Sequence, residues 1–150
     1  ENIGPRALNN ILNKKSGILG VSGVSSDMRE LAAAAKSGNE RAQLALDMYN
    51  YMIKKYVGAY VAVLGGVDIL VFTGWVGENQ DETRQAICEN MEFIGLLLDV
   101  EKNKLIHGEE AVISAPESKV KVMVVPTNEE LMIAMDTAEI LSQDRHRWTD

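Results

Sequence analysis

Residues 67–79 of the chain are VDILVFTGWVGEN, and this stretch decides the predicted fold. Its strand-forming part, residues 69–73, shows no alternation of apolar and polar side chains. Such a run is typical of a strand that is buried on both faces, as at the centre of a parallel sheet. The glycines that follow, Gly74 and Gly77, predict a turn into a helix over residues 80–94.

The segment before this strand predicts one long amphipathic helix over residues 39–64, with apolar side chains at helical spacing on one face. Gly65 and Gly66 are expected to end it, because glycine readily adopts the left-handed conformation found at helix C-termini. The tyrosines of this helix are predicted to pack against the sheet rather than to bind a ligand.

The remaining elements complete a layered α/β domain. Residues 111–114 and 120–125 are predicted strands, and residues 127–142 are a predicted last helix. The polar ends, residues 1–8 and 143–150, are predicted to be frayed tails. The length of 150 residues fits a single domain over the whole chain.

Composition excludes several function classes. The chain has 22 acidic and 15 basic residues, a net charge of −7, which argues against a nucleic-acid partner because such binding depends on Lys and Arg. The longest apolar stretch, residues 57–72, is interrupted by glycines and Asp68 and is too short to span a membrane. Two histidines and one cysteine cannot supply a zinc site. The single cysteine, Cys88, predicts a reducing, cytoplasmic setting.

Three segments place a turn before a helix N-terminus, where free N–H groups and the helix dipole attract anions. The first is residues 74–79, in which glycine lets the backbone approach a phosphate or sugar and Glu78 and Asn79 can hydrogen-bond a ligand. The alternative is a plain connection between strand and helix, with Asn79 as the N-cap.

The second segment is residues 23–30. Asp27 and Glu30 have the spacing of a capping arrangement, which would give them a structural role. Arg29 can instead pair with a phosphate or stack on a base.

The third segment is residues 126–130. Thr127 and Glu130 have the spacing of a capping box. Glu129 has no such local role, so it is either a magnesium ligand beside a nucleotide phosphate or a surface charge that complements the helix dipole. No pairing of a nucleophile with a base is visible, and Cys88 is predicted to be a packed small side chain.

Taken together, three segments in this order and spacing resemble acetate kinases: LNKKSGILGVSGVSSDMRE, VDILVFTGWVGEN and VVPTNEELMIA. The resemblance extends over residues 12–140 and is to the C-terminal part of such an enzyme. It implies an RNase H-like α/β domain of the actin-like ATPase superfamily, with a mixed sheet flanked by helices. It also implies phosphoryl transfer between ATP and acetate, giving ADP and acetyl phosphate, with Mg²⁺ and in a homodimer.

The resemblance assigns roles to particular residues. It implies two nucleotide-binding segments with the following members: Asp27, Met28, Arg29, Trp75, Val76, Gly77, Glu78 and Asn79. Glu129 corresponds to the magnesium-associated glutamate. Trp75 departs from the family, which usually has a glycine there, and its indole either stacks on the adenine or obstructs it. Met135 stands where an arginine is common.

The resemblance assigns no catalytic residue to this chain, because the N-terminal half of such an enzyme supplies the acetate pocket and the groups that stabilise the transferring phosphoryl group. Phosphoryl transfer depends on positioning and charge neutralisation, so the chain is expected to carry the nucleotide side and to be inactive alone. Acetate or a related short carboxylate would bind only with the missing half. A propionate or butyrate kinase segment, or a non-catalytic module for nucleotide binding or dimerisation, are the alternatives.

Overall fold

The computed structural model describes residues 3–145, with side chains to residue 142. Among these residues no helix combines the length and hydrophobicity that crossing a membrane requires. In chain order, the elements are α1 (Pro5–Lys14), α2 (Gly17–Ser22), α3 (Met28–Lys36), α4 (Glu40–Leu64), β1 (Ile69–Phe72), α5 (Gly74–Asn79), α6 (Asp81–Cys88), a 3₁₀ turn (Glu92–Ile94), α7 (Val100–Leu105), β2 (Ala111–Val112), β3 (Lys121–Val124) and α8 (Glu129–Arg145).

The three described strands form a small mixed sheet in the order β1-β3-β2. β1 is parallel to β3, with Ile69 opposite Lys121 and Phe72 opposite Val124. β2 is antiparallel to β3. This confirms an α/β fold with a mixed sheet and helices. Because β1 and β3 are parallel, the segments that follow Phe72 and Val124 leave the sheet side by side.

The predicted central position of residues 69–73 is wrong for the described sheet, in which β1 is an edge strand. Ile69 and Val71 are 51% and 48% exposed, whereas Phe72 is buried. The run of apolar side chains predicts a strand, but it does not show how many neighbouring strands pair with it. Since only β3 pairs with β1 here, one strand edge and one face are open.

Helix α4 confirms the predicted long helix. The Asn39 side chain caps it by accepting a hydrogen bond from the Ala42 N–H at 3.0 Å, and Gly65 ends it with φ 74° in the left-handed region. The expectation that its tyrosines pack on the sheet is wrong for Tyr56 and Tyr60, which are 58% and 63% exposed. The N-terminal half of α4 packs on α2 and α3 instead. Further along α4, Ile53 and Val57 pack against the core beside the sheet, whereas the two tyrosines stay exposed.

Two hydrophobic clusters position the elements that carry the candidate site. The larger joins the sheet to α6 and the segment before α7, through residues that include Phe72, Ile87, Leu96, Ile113 and Val122. The smaller joins α3 to α4 through four buried residues: Met28, Leu31, Ala42 and Ala45. Val76 of α5 packs against the smaller cluster, so α5 lies between the two cores.

The helix predictions near the ends and after β1 need correction. Residues 5–8 are helical because Pro5 opens α1 at the first helical position, where its missing N–H costs nothing. Residues 143–145 lie within α8, while residues 146–150 and the first two are outside the described part. The helix predicted over residues 80–94 is divided into α6 and the 3₁₀ turn.

Candidate functional site

Two of the predicted segments meet at one cavity. Asp27, Met28 and Arg29 at the start of α3 line it together with Trp75 and Val76 of α5, and its volume is about 290 Å³. The guanidinium carbon of Arg29 lies 5.3 Å from the centre of the Trp75 ring, within the range of a cation–π contact. The cavity thus combines a cation and an aromatic face, two groups that can stack on a planar ligand.

Asp27 holds Arg29 in this position. The Asp27 carboxylate accepts hydrogen bonds from Arg29 Nε at 3.0 Å and Nη2 at 2.5 Å, and one from the Arg29 backbone N–H at 2.8 Å, which caps α3. The side-chain hydrogen bond from Arg29, followed by its backbone N–H, lowers the pKa of Asp27 to about 2. The same pairing raises the pKa of Arg29. Asp27 therefore has the capping role expected from its spacing, and it also orients the guanidinium.

The third segment joins the site through Glu78. The Glu78 Oε1 atom accepts hydrogen bonds from the Thr127 N–H at 2.8 Å and hydroxyl at 3.0 Å. The predicted capping box of Thr127 and Glu130 is therefore wrong, and Asn128 caps α8 instead by accepting from the Leu131 N–H at 2.9 Å. This link follows from the parallel pairing of β1 with β3, which places the two following segments side by side.

Helix α5 itself is held by neighbours on several sides. Gly108 donates its N–H to the Glu78 carbonyl at 3.1 Å, and a ring nitrogen of His107 lies 3.1 Å from the Asn79 carbonyl oxygen. Asn79 is the last residue of α5 and not an N-cap, and its side-chain amide donates to the Trp75 carbonyl at 3.0 Å. Residues 74–79 therefore form a fixed helical turn.

Two glycines explain how α5 can follow β1 so closely. Gly74 begins α5 with φ 68°, in the left-handed region that favours glycine. A Cβ on Gly77 would lie 3.2 Å from the Phe72 carbonyl carbon, closer than ordinary packing allows. Gly77 therefore packs against the end of β1, and the absence of a side chain allows this close contact.

Arg84, whose side chain makes five hydrogen bonds beside α5, is absent from the sequence-based candidates. Its guanidinium is fully buried. Its Nη1 donates to the carbonyls of Gly77 and Glu78, both at 2.9 Å. Its Nη2 donates to the carbonyls of Asn103 and Ile106, and its Nε donates to the Asn103 side chain. A sequence signal existed, because Arg84 lies three and four residues before two apolar residues of the same helix face.

The remaining titratable candidates have structural surroundings. Cys88 is 4% exposed, and burial raises the pKa of its thiol to about 12, so the prediction of a packed side chain is confirmed. Glu129 is exposed at the first residue of α8. Within residues 3–142, no group of three or more His, Cys, Asp and Glu side chains is placed to hold a metal.

The sequence matches the acetokinase family over residues 1–135. The chain belongs to the acetokinase family. It is 61% identical to the acetate kinase of Bacteroides thetaiotaomicron over 143 residues, which are 95% of this chain and 36% of that protein. This acetokinase chain therefore spans about a third of the length of the relatives it matches.

Solved structures give the same relationship. The chain superposes on acetate kinase from Porphyromonas gingivalis with a TM-score of 0.85 and 61% identity, covering 92% of this chain and 35% of that one. Acetate kinase from Entamoeba histolytica gives a TM-score of 0.84 at 39% identity over 92% of this chain and 37% of that one. A propionate kinase from Francisella tularensis gives 0.77 at 37% identity, covering 87% and 33% of the two chains. The resemblance to acetate kinases is confirmed, while the roles of individual acetokinase residues stay predictions.

Proposed function

We propose that this chain supplies the nucleotide side of an acetate kinase, in which phosphate passes between ATP and acetate to give ADP and acetyl phosphate. The observation that carries the proposal is the cavity where the Arg29 guanidinium faces the Trp75 ring. The 61% identity to acetate kinases supports the choice of reaction. In this proposal residues 27–29 and 75–79 bind the nucleotide.

Trp75 binds the adenine in this proposal rather than obstructing it. An indole and a guanidinium both stack well on a planar base, and Trp75 is half-exposed at the cavity. Asp27 holds Arg29 in one orientation, so little side-chain freedom remains to be lost when the base binds. The Glu78 carboxylate is occupied by Thr127, so its role is to fix the two segments relative to each other.

Glu129 has the side-chain chemistry of a magnesium ligand. Mg²⁺ commonly binds one or two carboxylates, substrate phosphates and water rather than a cage of protein ligands. Glu129 is one exposed carboxylate at the start of α8, in the segment that Thr127 ties to α5. Bound there, the metal would neutralise charge on the nucleotide phosphates.

The proposal extends to the fold and the assembly. A parallel β1–β3 pair flanked by helices supports an RNase H-like domain of the actin-like ATPase superfamily. The exposed C-terminal end of α4, where Val63 and Leu64 are 81% and 73% exposed, supports a homodimer of the full-length enzyme. The buried thiol of Cys88 is compatible with a cytoplasmic protein.

The chain alone is proposed to be inactive, because it spans about a third of its relatives and phosphoryl transfer needs charge neutralisation from several sides. Propionate kinase is the second candidate, supported by the superposition at 37% identity. The higher identity to acetate kinases favours acetate. An assay for acetyl phosphate with the purified chain, ATP and acetate is expected to give no product above background. Sustained turnover would contradict the proposed inactivity.

Nucleotide binding is tested by the fluorescence of Trp75 in a Trp148→Phe variant, which leaves Trp75 as the single tryptophan. Mg-ADP is expected to change the emission in a saturable way, and Arg29→Gln is expected to weaken binding at least about fivefold, since it removes a stacked cation. Arg41→Gln is the matched control, because Arg41 is bonded to the Val21 carbonyl outside the cavity. Absence of both a fluorescence change and a heat of binding would overturn the proposal.

A further inference from the structure

Arg84 fills a buried position with a charge that has only neutral acceptors. It is 0% exposed, and burial lowers the pKa of its guanidinium. All five N–H donors of an arginine side chain are used, and they bind four backbone carbonyls and one amide oxygen. An apolar residue would fill this volume without the desolvation penalty of a charge, so the hydrogen bonds must explain the arginine.

Two of those carbonyls belong to the C-terminal turn of α5. The last four carbonyls of a helix have no partner within it, and a helix of six residues is not stable alone. Arg84 binds the Gly77 and Glu78 carbonyls at 2.9 Å each. It therefore supplies, from the adjacent helix, donors to two of the carbonyls that have no partner within α5.

The same guanidinium ties α5 to the segment after it. Asn103 of α7 is fully buried, accepts from Arg84 through its side chain and backbone, and donates its amide to the Asp81 carbonyl. Ile106 accepts from Arg84 Nη2 at 2.7 Å. Arg84 is thus the common partner of α5, α7 and the loop that contacts the end of α5.

We propose that Arg84 is a positioning residue for nucleotide binding: it fixes α5 from its buried side, so that the Trp75 ring and the Glu78 carboxylate are held where the three segments meet. This rests on the proposed nucleotide site. Arg84 touches no ligand in this arrangement, and it acts through the backbone of Gly77 and Glu78.

The test uses Arg84→Lys in the full chain carrying Trp148→Phe. Lysine keeps the positive charge, but its donors sit on one atom and cannot span these acceptors. The expected result is Mg-ADP binding at least tenfold weaker by Trp75 fluorescence, together with at least tenfold faster hydrogen exchange at Gln80 and Gly108. Those two amides bond to α5 carbonyls at 2.9 and 3.1 Å.

Ile113→Val is the matched control, because Ile113 is equally buried in the larger core but bonds to β3 and Asp99 instead of α5. It is expected to lower the melting temperature without changing either readout. If Arg84→Lys proves folded with unchanged affinity and unchanged exchange, the positioning role is overturned. If wild type fails to bind Mg-ADP, the proposed function fails, while the exchange rates still decide whether Arg84 fixes α5.

Chemical rescue provides a second test. Arg84→Ala removes a group that ethylguanidinium matches, and added ethylguanidinium is expected to restore Mg-ADP affinity to within about threefold of wild type. Absence of this rescue would count against the proposal. Ethylammonium, with the same charge but one donor atom, is expected to restore nothing. Equal rescue by both cations would mean that charge alone matters and would contradict the proposal.

Discussion

The shortest helix at the site and the last helix of the chain differ in what holds them. Helix α5 has six residues, and other parts of the chain bind its carbonyls and the Glu78 side chain. Helix α8 has 17 residues, and its large apolar side chains are each more than half exposed: Leu131, Met132, Ile133, Met135, Ile140 and Leu141. Length therefore does not indicate which helix the fold fixes more firmly.

The difference has a physical origin. A long helix satisfies most of its backbone within itself, whereas a single turn leaves most of its carbonyls without partners. The position of α5 consequently depends on tertiary hydrogen bonds, and a substitution far from Trp75 in sequence can disturb it. Because the apolar side chains of α8 are exposed, replacing them should change the stability of this chain little. In a larger protein that covers them, the same replacements would cost stability.

The largest effect is expected at Arg84. Arg84→Leu should destabilise the chain by at least about 3 kcal/mol, because buried carbonyls lose their donors. Leu131→Ala on α8 should change the free energy of unfolding by no more than about 0.5 kcal/mol, because this side chain is 52% exposed. Urea denaturation followed by circular dichroism measures both. Similar values for the two variants would refute the contrast between α5 and α8.

A smaller effect is expected where the two helices connect. Glu78→Ala removes the carboxylate that accepts from Thr127 and should cost about 1 kcal/mol. Thr127→Val should add little in that background, because the shared hydroxyl bond is already lost. Glu130→Ala is the control and should be nearly neutral, since the capping box that the sequence predicts is not formed. Thermal denaturation of these three variants and of wild type decides between the two arrangements, and a larger loss at Glu130 would favour the capping box.

The sequence predicts α4 to within one residue, because strong local signals bound it. Asn39 caps it through a partner three residues away, and Gly65 takes the left-handed conformation. The strand β1 is predicted correctly as an element but wrongly as a central one. Local patterns encode the conformation of a segment, but the number of strands beside it depends on distant parts of a protein.

The site shows the same division between local and distant signals. The motifs identify Asp27, Arg29 and Trp75, and the structure brings them to one cavity. The bond between Glu78 and Thr127 spans 49 positions, and the contacts of Arg84 with α7 span 19. Helical spacing shows that Arg84 shares a helix face with Ile87 and Cys88, but it does not reveal the distant partners of Arg84 or of Glu78. The sequence therefore predicts the segments that line the cavity but not the residues that hold them together.

The smallest expected effect is a pH dependence of stability at the start of α3. There, a local ion pair with Asp27 holds the Arg29 side chain, whereas α5 is held by a tertiary network. Arg29 lowers the folded-state pKa of Asp27 from 3.8 to about 2, so the folded state favours the carboxylate. This contribution is present above about pH 4 and is lost as the pH falls towards 2. The difference in urea midpoint between wild type and Asp27→Asn should therefore shrink over that range. Arg29→Gln should reduce the same pH-dependent difference, because it removes the side-chain hydrogen bond and keeps only the backbone one. The exposed pair should have only a modest effect. A difference that stays constant from pH 6 to 2 would contradict a lowered pKa of Asp27, because the folded state would then not favour the carboxylate over the protonated acid.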